Sequence, residues 1–171
     1  MEFLYHHDSP LGKIVLSSDG DALTGAWFED QKYFPDRFMN QSTGPSLPVF
    51  DAANEWLTIY FSGKVPSFLP PLSLQTTPFR KSVLELLLQI PYGHTTTYRE
   101  ISRQVARQMG VATMSAQAVG GAVGHNPLSL FIPCHRVIGS NGSLTGYAGG
   151  LNRKIELLKL EGVDISNLMI P

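Results

Sequence analysis

Three prolines, Pro66, Pro70 and Pro71, interrupt the chain between two stretches with different residue patterns. Proline lacks a backbone N–H and restricts the residue before it, so neither a helix nor a central strand can run through this segment. We therefore predict a linker at about residues 64–76, between an N-terminal subdomain (1–70) and a C-terminal domain (77–171). The 171 residues are enough for two small units that share a core.

The first subdomain is predicted to be an α/β unit, a small antiparallel sheet with one helix. Apolar residues at 11–16, a turn-rich cluster at 17–21 and apolar and aromatic residues at 23–28 form the pattern of a β-hairpin. Apolar side chains follow a helical spacing over 48–63, and the last residue is a glycine, which is favoured just after a helix end. We expect the intervening residues 30–47 to be loop with at most a short helix.

The second domain is predicted to be mainly α-helical. Apolar stripes at helical spacing occur over 79–90, 98–110 and 151–162. Thr97–Glu100 has the form of a capping box, which predicts a helix start. A short helix over 113–124, rich in alanine and glycine, follows the one over 98–110, and the pair is a helix-turn-helix candidate.

Composition excludes several classes of protein. Hydrophobic residues make up 43% and charged residues 16%, which is unlike a disordered chain. The single cysteine excludes a disulfide framework and fits a reducing compartment. No apolar run approaches the roughly 20 residues of a membrane helix, and His6-His7 is too sparse for a metal site. We expect a soluble cytoplasmic protein without a metal.

The charges are unevenly distributed along the chain. The net charge is −1, but residues 1–79 have four basic and nine acidic side chains, whereas residues 80–171 have nine basic and five acidic. A locally positive surface can attract a polyanion even when the whole molecule is nearly neutral. The second domain is therefore the candidate surface for nucleic acid.

Cys134 lies between an apolar run and His135-Arg136. Neighbouring positive charge can stabilise a thiolate against its ordinary pKa of about 8.5. Adjacent side chains on an extended chain point to opposite sides, so a direct contact between His135 and the sulfur is not implied. A histidine acting as a base needs an orienting carboxylate, and the late-chain candidates are Glu156, Glu161 and Asp164.

The string Ile132-Pro-Cys-His-Arg-Val137 resembles the active-site signature of the O6-alkylguanine-DNA alkyltransferases. The resemblance is dense from 77 to 162 and weak before it. The other matching segments, in the family's order, are Thr77–Phe79, Ile90–Gly93, Thr97–Tyr98, Ala118–Ala122, Asn126–Pro127, Gly146–Gly150 and Leu157–Gly162.

The resemblance implies a ribonuclease-H-like first subdomain and a winged-helix-like second domain. It also implies repair of double-stranded DNA by a monomer that enters the minor groove, flips O6-alkylguanine out of the stack and transfers the alkyl group to Cys134. O4-alkylthymine is a second candidate substrate. The reaction needs no cofactor, and since nothing in the motif could cleave the resulting thioether, the protein should act once.

The resemblance also implies roles for individual residues. Cys134 is the alkyl acceptor, and His135 and Glu161 relay its proton through water. Tyr98 donates to the departing guanine, and Asn126 joins the recognition helix to the active-site segment. The residues expected at DNA are Thr97, Tyr98, Ser115, Ala116, Gln117, Gly120, Gly121 and Arg136, and those expected over the base are Tyr147, Ala148 and Gly149.

The chain departs from the family pattern at two of these positions. Gln117 stands where members often have an arginine that fills the gap left by the flipped base, and Ala148 stands where a serine is common.

Three other functions are compatible with parts of the pattern. One is a lesion sensor that does not repair, although such relatives have replaced the cysteine. Another is a cysteine hydrolase using Cys134 with His94 or His125, although no oxyanion-hole motif is apparent. The third is a helix-turn-helix regulator in which Cys134 is only part of the core.

Overall fold

A computed structural model describes all 171 residues. The chain begins with an antiparallel sheet of three strands in the order β1-β2-β3, β1 being Phe3–Ser9, β2 Gly12–Ser18 and β3 Leu23–Phe28. A helix, α1, spans Pro48–Phe61. The predicted hairpin and helix are confirmed. The first strand was not predicted, because most of its residues are only half-buried and no clear apolar alternation marks it.

Helix α1 follows from its sequence. Pro48 occupies the first turn, where the missing N–H has no intrahelical partner to lose. Its buried face contacts β1 and β2, with the rings of Phe50 and Tyr5 5.5 Å apart. At the same face His7 Nδ1 lies 2.9 Å from Asn54 Oδ1, which links β1 to the helix.

A second apolar cluster of this unit surrounds Trp27. Its buried members are Leu4, Val15, Trp27 and Phe38. Gly25 precedes Trp27 on the same face of β3, and the indole ring covers it: a Cβ at Gly25 would lie 1.9 Å from the ring. Glycine is therefore required at position 25, because the Trp27 ring occupies the space that the side chain of any other residue would need.

The rest of the chain is mainly helical, as predicted. It contains α2 (Pro78–Leu87), α3 (Tyr98–Met109), α4 (Ala116–Gly124) and α5 (Leu151–Leu160). Two short parallel strands, β4 (Thr96–Thr97) and β5 (Val137–Ile138), pair with each other.

The helix-turn-helix consists of α3 and α4. The Thr97 side chain caps α3 by accepting from the N–H of Glu100, and Gly110 ends it in the left-handed conformation that glycine favours. Ser115 caps α4 in the same way. This cap places the start of α4 three residues after the predicted Thr113, because the capping hydroxyl fixes the helix entry.

The chain divides into two compact units, one made of Met1–Gln75 with Pro127–Phe131 and the other of Thr76–Asn126 with Ile132–Pro171. Residues 127–131 thus join the first unit although they lie far along the chain. There Ala26 N–H donates to the carbonyl of Pro127, and the ring of Phe131 lies 4.5 Å from that of Trp56.

Part of the proline-rich segment is more ordered than a linker. Leu23 N–H donates to the carbonyl of Pro71, and Ser73 N–H donates to the carbonyl of Leu23. These bonds attach the segment to β3 within the first unit. As for membranes, none of the helices combines the length and apolar character that crossing a bilayer requires.

Gly25→Ala tests the close approach of Trp27. We expect the variant to lose about 1–3 kcal/mol of unfolding free energy, because the ring must move within a filled core. Gly44→Ala is the matched control, since a Cβ there meets only the backbone of Leu4, with the carbonyl oxygen at 3.5 Å, and we expect a change of no more than about 0.5 kcal/mol. Urea unfolding measures both, and equal losses would contradict the assignment.

Candidate active site

Cys134 begins a 3₁₀ turn, Cys134–Arg136, so the backbone is bent and not extended here. Its N–H donates to the carbonyl of Ile132, and the side chain is buried. The turn changes the side-chain directions, so His135 and Arg136 both reach Glu161, the residue that follows α5. Of the three carboxylates considered from the sequence, Glu161 is the one at the site.

The carboxylate of Glu161 is the centre of a buried network. His135 Nε2 lies 2.5 Å from Oε2, and Arg136 donates to both carboxylate oxygens, from Nε at 2.8 Å and from Nη2 at 3.1 Å. The Gly93 N–H donates to Oε1 at 3.1 Å. Arg136 also donates from Nη1 to the carbonyl of Ile90. Several donors on one carboxylate favour its ionised form.

These contacts define the protonation states of the pair. Burial by itself would raise the pKa of Glu161, but the bonds and charges of His135 and Arg136 outweigh it and lower the pKa to about 2. Burial lowers the pKa of His135, despite the opposing effect of Glu161. A neutral imidazole facing a carboxylate through Nε2 has its proton on Nε2, so Nδ1 is the basic nitrogen.

The thiol of Cys134 is protonated at rest. Burial raises its pKa, while a hydrogen bond with Asn126 and the charge of Lys154 act in the opposite direction. Asn126 follows α4 and also donates from Nδ2 to the carbonyl of Ile132 at 2.8 Å. The asparagine therefore connects the end of the second helix of the helix-turn-helix to the cysteine.

Lys154 is a residue that the sequence analysis missed. It is fully buried on α5, and its ammonium donates to the carbonyls of Val137 at 2.6 Å and Thr145 at 2.8 Å. Burial lowers its pKa to about 8. The sequence contained a sign of this: Lys154 falls on the apolar stripe of α5, three residues after Leu151 and four before Leu158, where a solvated lysine is unusual.

Two tyrosines, Tyr98 and Tyr147, lie close enough to Cys134 for a thiolate there to raise their pKa values. Burial raises the pKa of Tyr98 to about 12 and that of Tyr147 well above its ordinary value, so both are protonated hydroxyls. The Tyr147 ring meets the His135 ring edge-on at 6.4 Å, and its buried hydroxyl has no hydrogen-bond partner.

Two glycines make room for these rings. A Cβ on Gly149 would lie 2.4 Å from the Tyr147 ring, and one on Gly146 would lie 2.5 Å from the Tyr98 hydroxyl. Ala148, between Tyr147 and Gly149, is half-buried. The loop after β5 therefore packs against the Tyr98 hydroxyl at Gly146 and against the Tyr147 ring at Gly149. Of the three residues expected over a base, Tyr147 is the one that interacts with Cys134.

The residues expected at DNA have different placements. Thr97 and Ser115 cap helices, as described above. Ala116, Gln117 and Gly120, on α4, line a groove of about 950 Å³ together with Tyr98. Gly121, also on α4, is half-buried, and a Cβ added to it would meet no other heavy atom within 4 Å.

Arg136 does not belong with these residues. It is 8% exposed, and its guanidinium is bonded to Glu161 and to the carbonyl of Ile90. An arginine that neutralises a buried carboxylate has little capacity left for a phosphate. The structure therefore argues against our expectation of a DNA contact there and assigns Arg136 to the support of the site.

A helix-turn-helix unit with a buried cysteine beside a neutral histidine and an ionised glutamate combines the parts needed for nucleic-acid binding and for thiol chemistry. No cluster of three or more metal-binding side chains is present. These features define a class: a nucleic-acid-binding protein with a thiol acceptor.

Comparison with known proteins makes the class specific. Residues 78–163 match the model of the DNA-binding domain of 6-O-methylguanine DNA methyltransferases, and residues 3–74 match the model of their ribonuclease-like domain. The chain belongs to the 6-O-methylguanine DNA methyltransferase family. The resemblance found in the sequence is thereby confirmed, as is the two-part fold class.

Individual relatives are similar over nearly their whole length. A methylated-DNA–protein-cysteine methyltransferase of Mycobacterium tuberculosis is 44% identical over 154 residues, covering 90% of this chain and 88% of the relative. The protein of that name in Haemophilus influenzae is 37% identical over 166 residues, covering 95% and 89%.

Solved structures are similar as well. The crystal structure of the M. tuberculosis O6-methylguanine methyltransferase gives a TM-score of 0.81 at 42% identity, covering 94% of this chain and 93% of that one. A structure of the M. tuberculosis protein in complex with DNA gives 0.78 at 40% identity, covering 95% and 92%.

Acid unfolding tests the Glu161 network. A carboxyl whose pKa is depressed on folding stabilises the protein above its unfolded pKa, and this stability is lost as the pH falls toward the folded value. For Glu161 the loss spans roughly pH 4.5 to 2 and is on the order of 3 kcal/mol. His135, whose pKa is also lowered, adds a loss that begins below about pH 6.5.

We expect Glu161→Gln to lower the free energy of unfolding at pH 7 by about 3–5 kcal/mol, because the charge of Arg136 is left buried without a partner charge. The gap to the wild type should narrow as the pH falls toward 2. Glu156→Gln, on the exposed side of the same helix, is the control and should follow the wild-type profile. Urea unfolding from pH 7 to 3 measures all three, and a constant gap would contradict the assignment.

Proposed function

We propose that this protein repairs DNA by transferring the alkyl group of O6-alkylguanine irreversibly to Cys134. O4-alkylthymine is a second candidate substrate. The observation on which the proposal rests is the buried set of Cys134, neutral His135 and ionised Glu161 in a chain that belongs to this family. Relatives named for the same activity share most of their length with this chain.

The chemistry would proceed as a displacement at carbon. The Cys134 proton passes through a water molecule to Nδ1 of His135, while Glu161 holds the Nε2–H and stabilises the imidazolium that forms. The sulfur then attacks the alkyl carbon, an S–C bond forms, and the bond from carbon to O6 of guanine breaks. The bond electrons leave with the base.

Tyr98 would supply the proton for the leaving guanine. Its pKa of about 12 keeps the phenol protonated at neutral pH, so it can donate as negative charge develops on the base. The proton held by His135 restores the phenol through solvent, and the reaction balances without a cofactor. The products are guanine and an S-alkylated cysteine, and no neighbouring group is placed to cleave the thioether.

The DNA would be bound through the helix-turn-helix, with α4 in the minor groove. The small residues Ala116, Gly120 and Gly121 permit close approach of the helix, and Gln117 is exposed at its first turn. Thr97 and Ser115 hold the helix starts that face the duplex. The base, once out of the stack, would lie under Tyr147, Ala148 and Gly149.

The two parts of the chain would divide the work. Residues 77–171, apart from the segment 127–131 that joins the first unit, would form the DNA-binding and alkyl-acceptor domain. Residues 1–70, with the attached segment up to 75, would form a supporting α/β subdomain. We infer that the protein acts as a monomer, since each chain supplies every residue of the proposed site. The lone reduced cysteine fits a cytoplasmic location.

The alternatives gain no support from the geometry. The two spare histidines proposed for a hydrolase are exposed and bonded locally, His94 to the carbonyl of Tyr92 and His125 to that of Gly121. A regulator with Cys134 as inert core does not account for Lys154, Tyr98 and Tyr147 around the sulfur.

Stoichiometry tests the proposed reaction. With excess duplex containing O6-methylguanine, we expect one methyl group per chain, located on Cys134, after which transfer stops. Intact-protein and peptide mass spectrometry measures this. Cys134→Ser should transfer nothing while still binding duplex, because an alcohol is far less ionised than a thiol. Continued turnover with substoichiometric protein would refute the single-use reaction and favour a hydrolase.

Gln117 tests the placement of the recognition helix. If its amide fills the gap beside the orphaned cytosine, Gln117→Ala should slow transfer from duplex about tenfold and leave attack on free O6-benzylguanine unchanged, since a free base has no stack to leave. Gln117→Arg should match or exceed the wild type on duplex, because guanidinium adds charge and a planar stacking surface.

Gln108→Ala is the control for this experiment, because Gln108 is exposed near the end of α3 and outside the groove. We expect it to behave as the wild type on both substrates. Equal slowing of both substrates by Gln117→Ala would mean that the residue supports the fold of the site. If Gln117→Ala slows transfer from neither substrate, another residue fills the gap left by the flipped base.

A further inference from the structure

The outward face of α3 has an arginine ridge, Arg99, Arg103 and Arg107, at intervals of four residues. Residues so spaced lie along one side of a helix, and these three span about 12 Å. All three side chains are exposed. Arg103 forms an exposed ion pair with Glu100 at 3.3 Å, and such pairs are weak and exchange readily.

The ridge forms one wall of the groove that Gln117 and Gly120 also line. Its lining also includes the residues between α3 and α4, from Val111 to Met114, and residues of the loop after β5, among them Ser140 and Asn141. No acidic side chain lines the groove. A concave surface of one charge sign concentrates the field and attracts an oppositely charged ligand.

We propose that this groove takes the sugar-phosphate backbone of DNA beside the lesion, with Arg99, Arg103 and Arg107 as phosphate contacts. This inference rests on the proposed function, and it extends the DNA surface from α4 onto the full length of α3. The charge complementarity and the continuity with Gln117 and Gly120 favour a nucleic-acid strand over a protein segment as the occupant.

The ridge would also explain how a protein of net charge −1 holds a polyanion. Three of the nine basic residues after position 79 are in this one groove, whereas Arg136 and Lys154 are buried. Phosphate contacts position a protein without reading sequence. The ridge should therefore raise affinity equally for damaged and undamaged duplex, and selection of the lesion should depend on α4 and the base pocket.

The test is the salt dependence of duplex binding. Each phosphate contact contributes about 0.9 to the slope of log affinity against log salt concentration. Replacing one ridge arginine by glutamine should make the slope shallower, reducing its magnitude by about 0.9. The triple variant should reduce the magnitude by about 2.7. Between roughly 50 and 200 mM salt, the affinity of the wild type should fall by a factor about 3.5 times larger than that of a variant with one arginine replaced. For the triple variant the corresponding factor is about 40.

Lys81→Gln is the matched control, because Lys81 is exposed on α2 and outside the groove but carries the same charge. We expect it to keep the wild-type slope. The ratio of affinities for damaged and undamaged duplex should be unchanged in the ridge variants. Thermal unfolding checks that each variant is folded, and the single variants serve if the triple variant is not.

Two outcomes would overturn the proposal. A triple variant with the wild-type slope would place the ridge outside the path of the DNA and leave the groove to a protein or another ligand. A slope lowered equally by Lys81→Gln would show that total charge, and not the groove, controls binding. The proposed function fails separately, if wild-type protein does not transfer a methyl group to Cys134.

Discussion

One buried carboxylate, that of Glu161, sets the geometry of the candidate active site. It joins the end of α5 to the turn that presents Cys134, through His135 and Arg136, and to the segment after α2, through the N–H of Gly93. Each donor would be costly to leave buried alone, so the three segments are held together as a unit. The basic nitrogen of His135 is directed by the same bond that stabilises the fold.

The environment of the Cys134 sulfur keeps the thiol protonated in the resting protein and allows it to ionise during the reaction. Burial opposes ionisation of Cys134, while Lys154 and Asn126 favour it. The ammonium of Lys154 is bonded to carbonyls and not to a carboxylate, so its charge is not cancelled locally. Ionisation then becomes favourable when the proton has a route to His135, and a resting protein is protected from oxidation because the thiolate is the reactive form.

The sequence predicts local structure best where a side chain acts on its own backbone. The capping threonine before α3 and the glycine after it mark that helix in the sequence and in the structure. The sequence predicts poorly the role of a side chain whose partners are determined by its burial in the folded protein. Arg136 looks like a DNA contact until its bonds to Glu161 are known. Lys154 can be recognised as unusual in the sequence only because the stripe around it is apolar. Strand β1 has no comparable apolar pattern, and so it was not predicted.

The return of residues 127–131 to the first unit affects how the chain is made. The sheet and α1 emerge first from the ribosome, but Trp56 and Ala26 must wait for Phe131 and Pro127, which come after α2, α3 and α4. N-terminal domains commonly fold during synthesis. Here the first unit cannot complete its core until most of the second has been translated, so the two units are expected to mature together and not in succession.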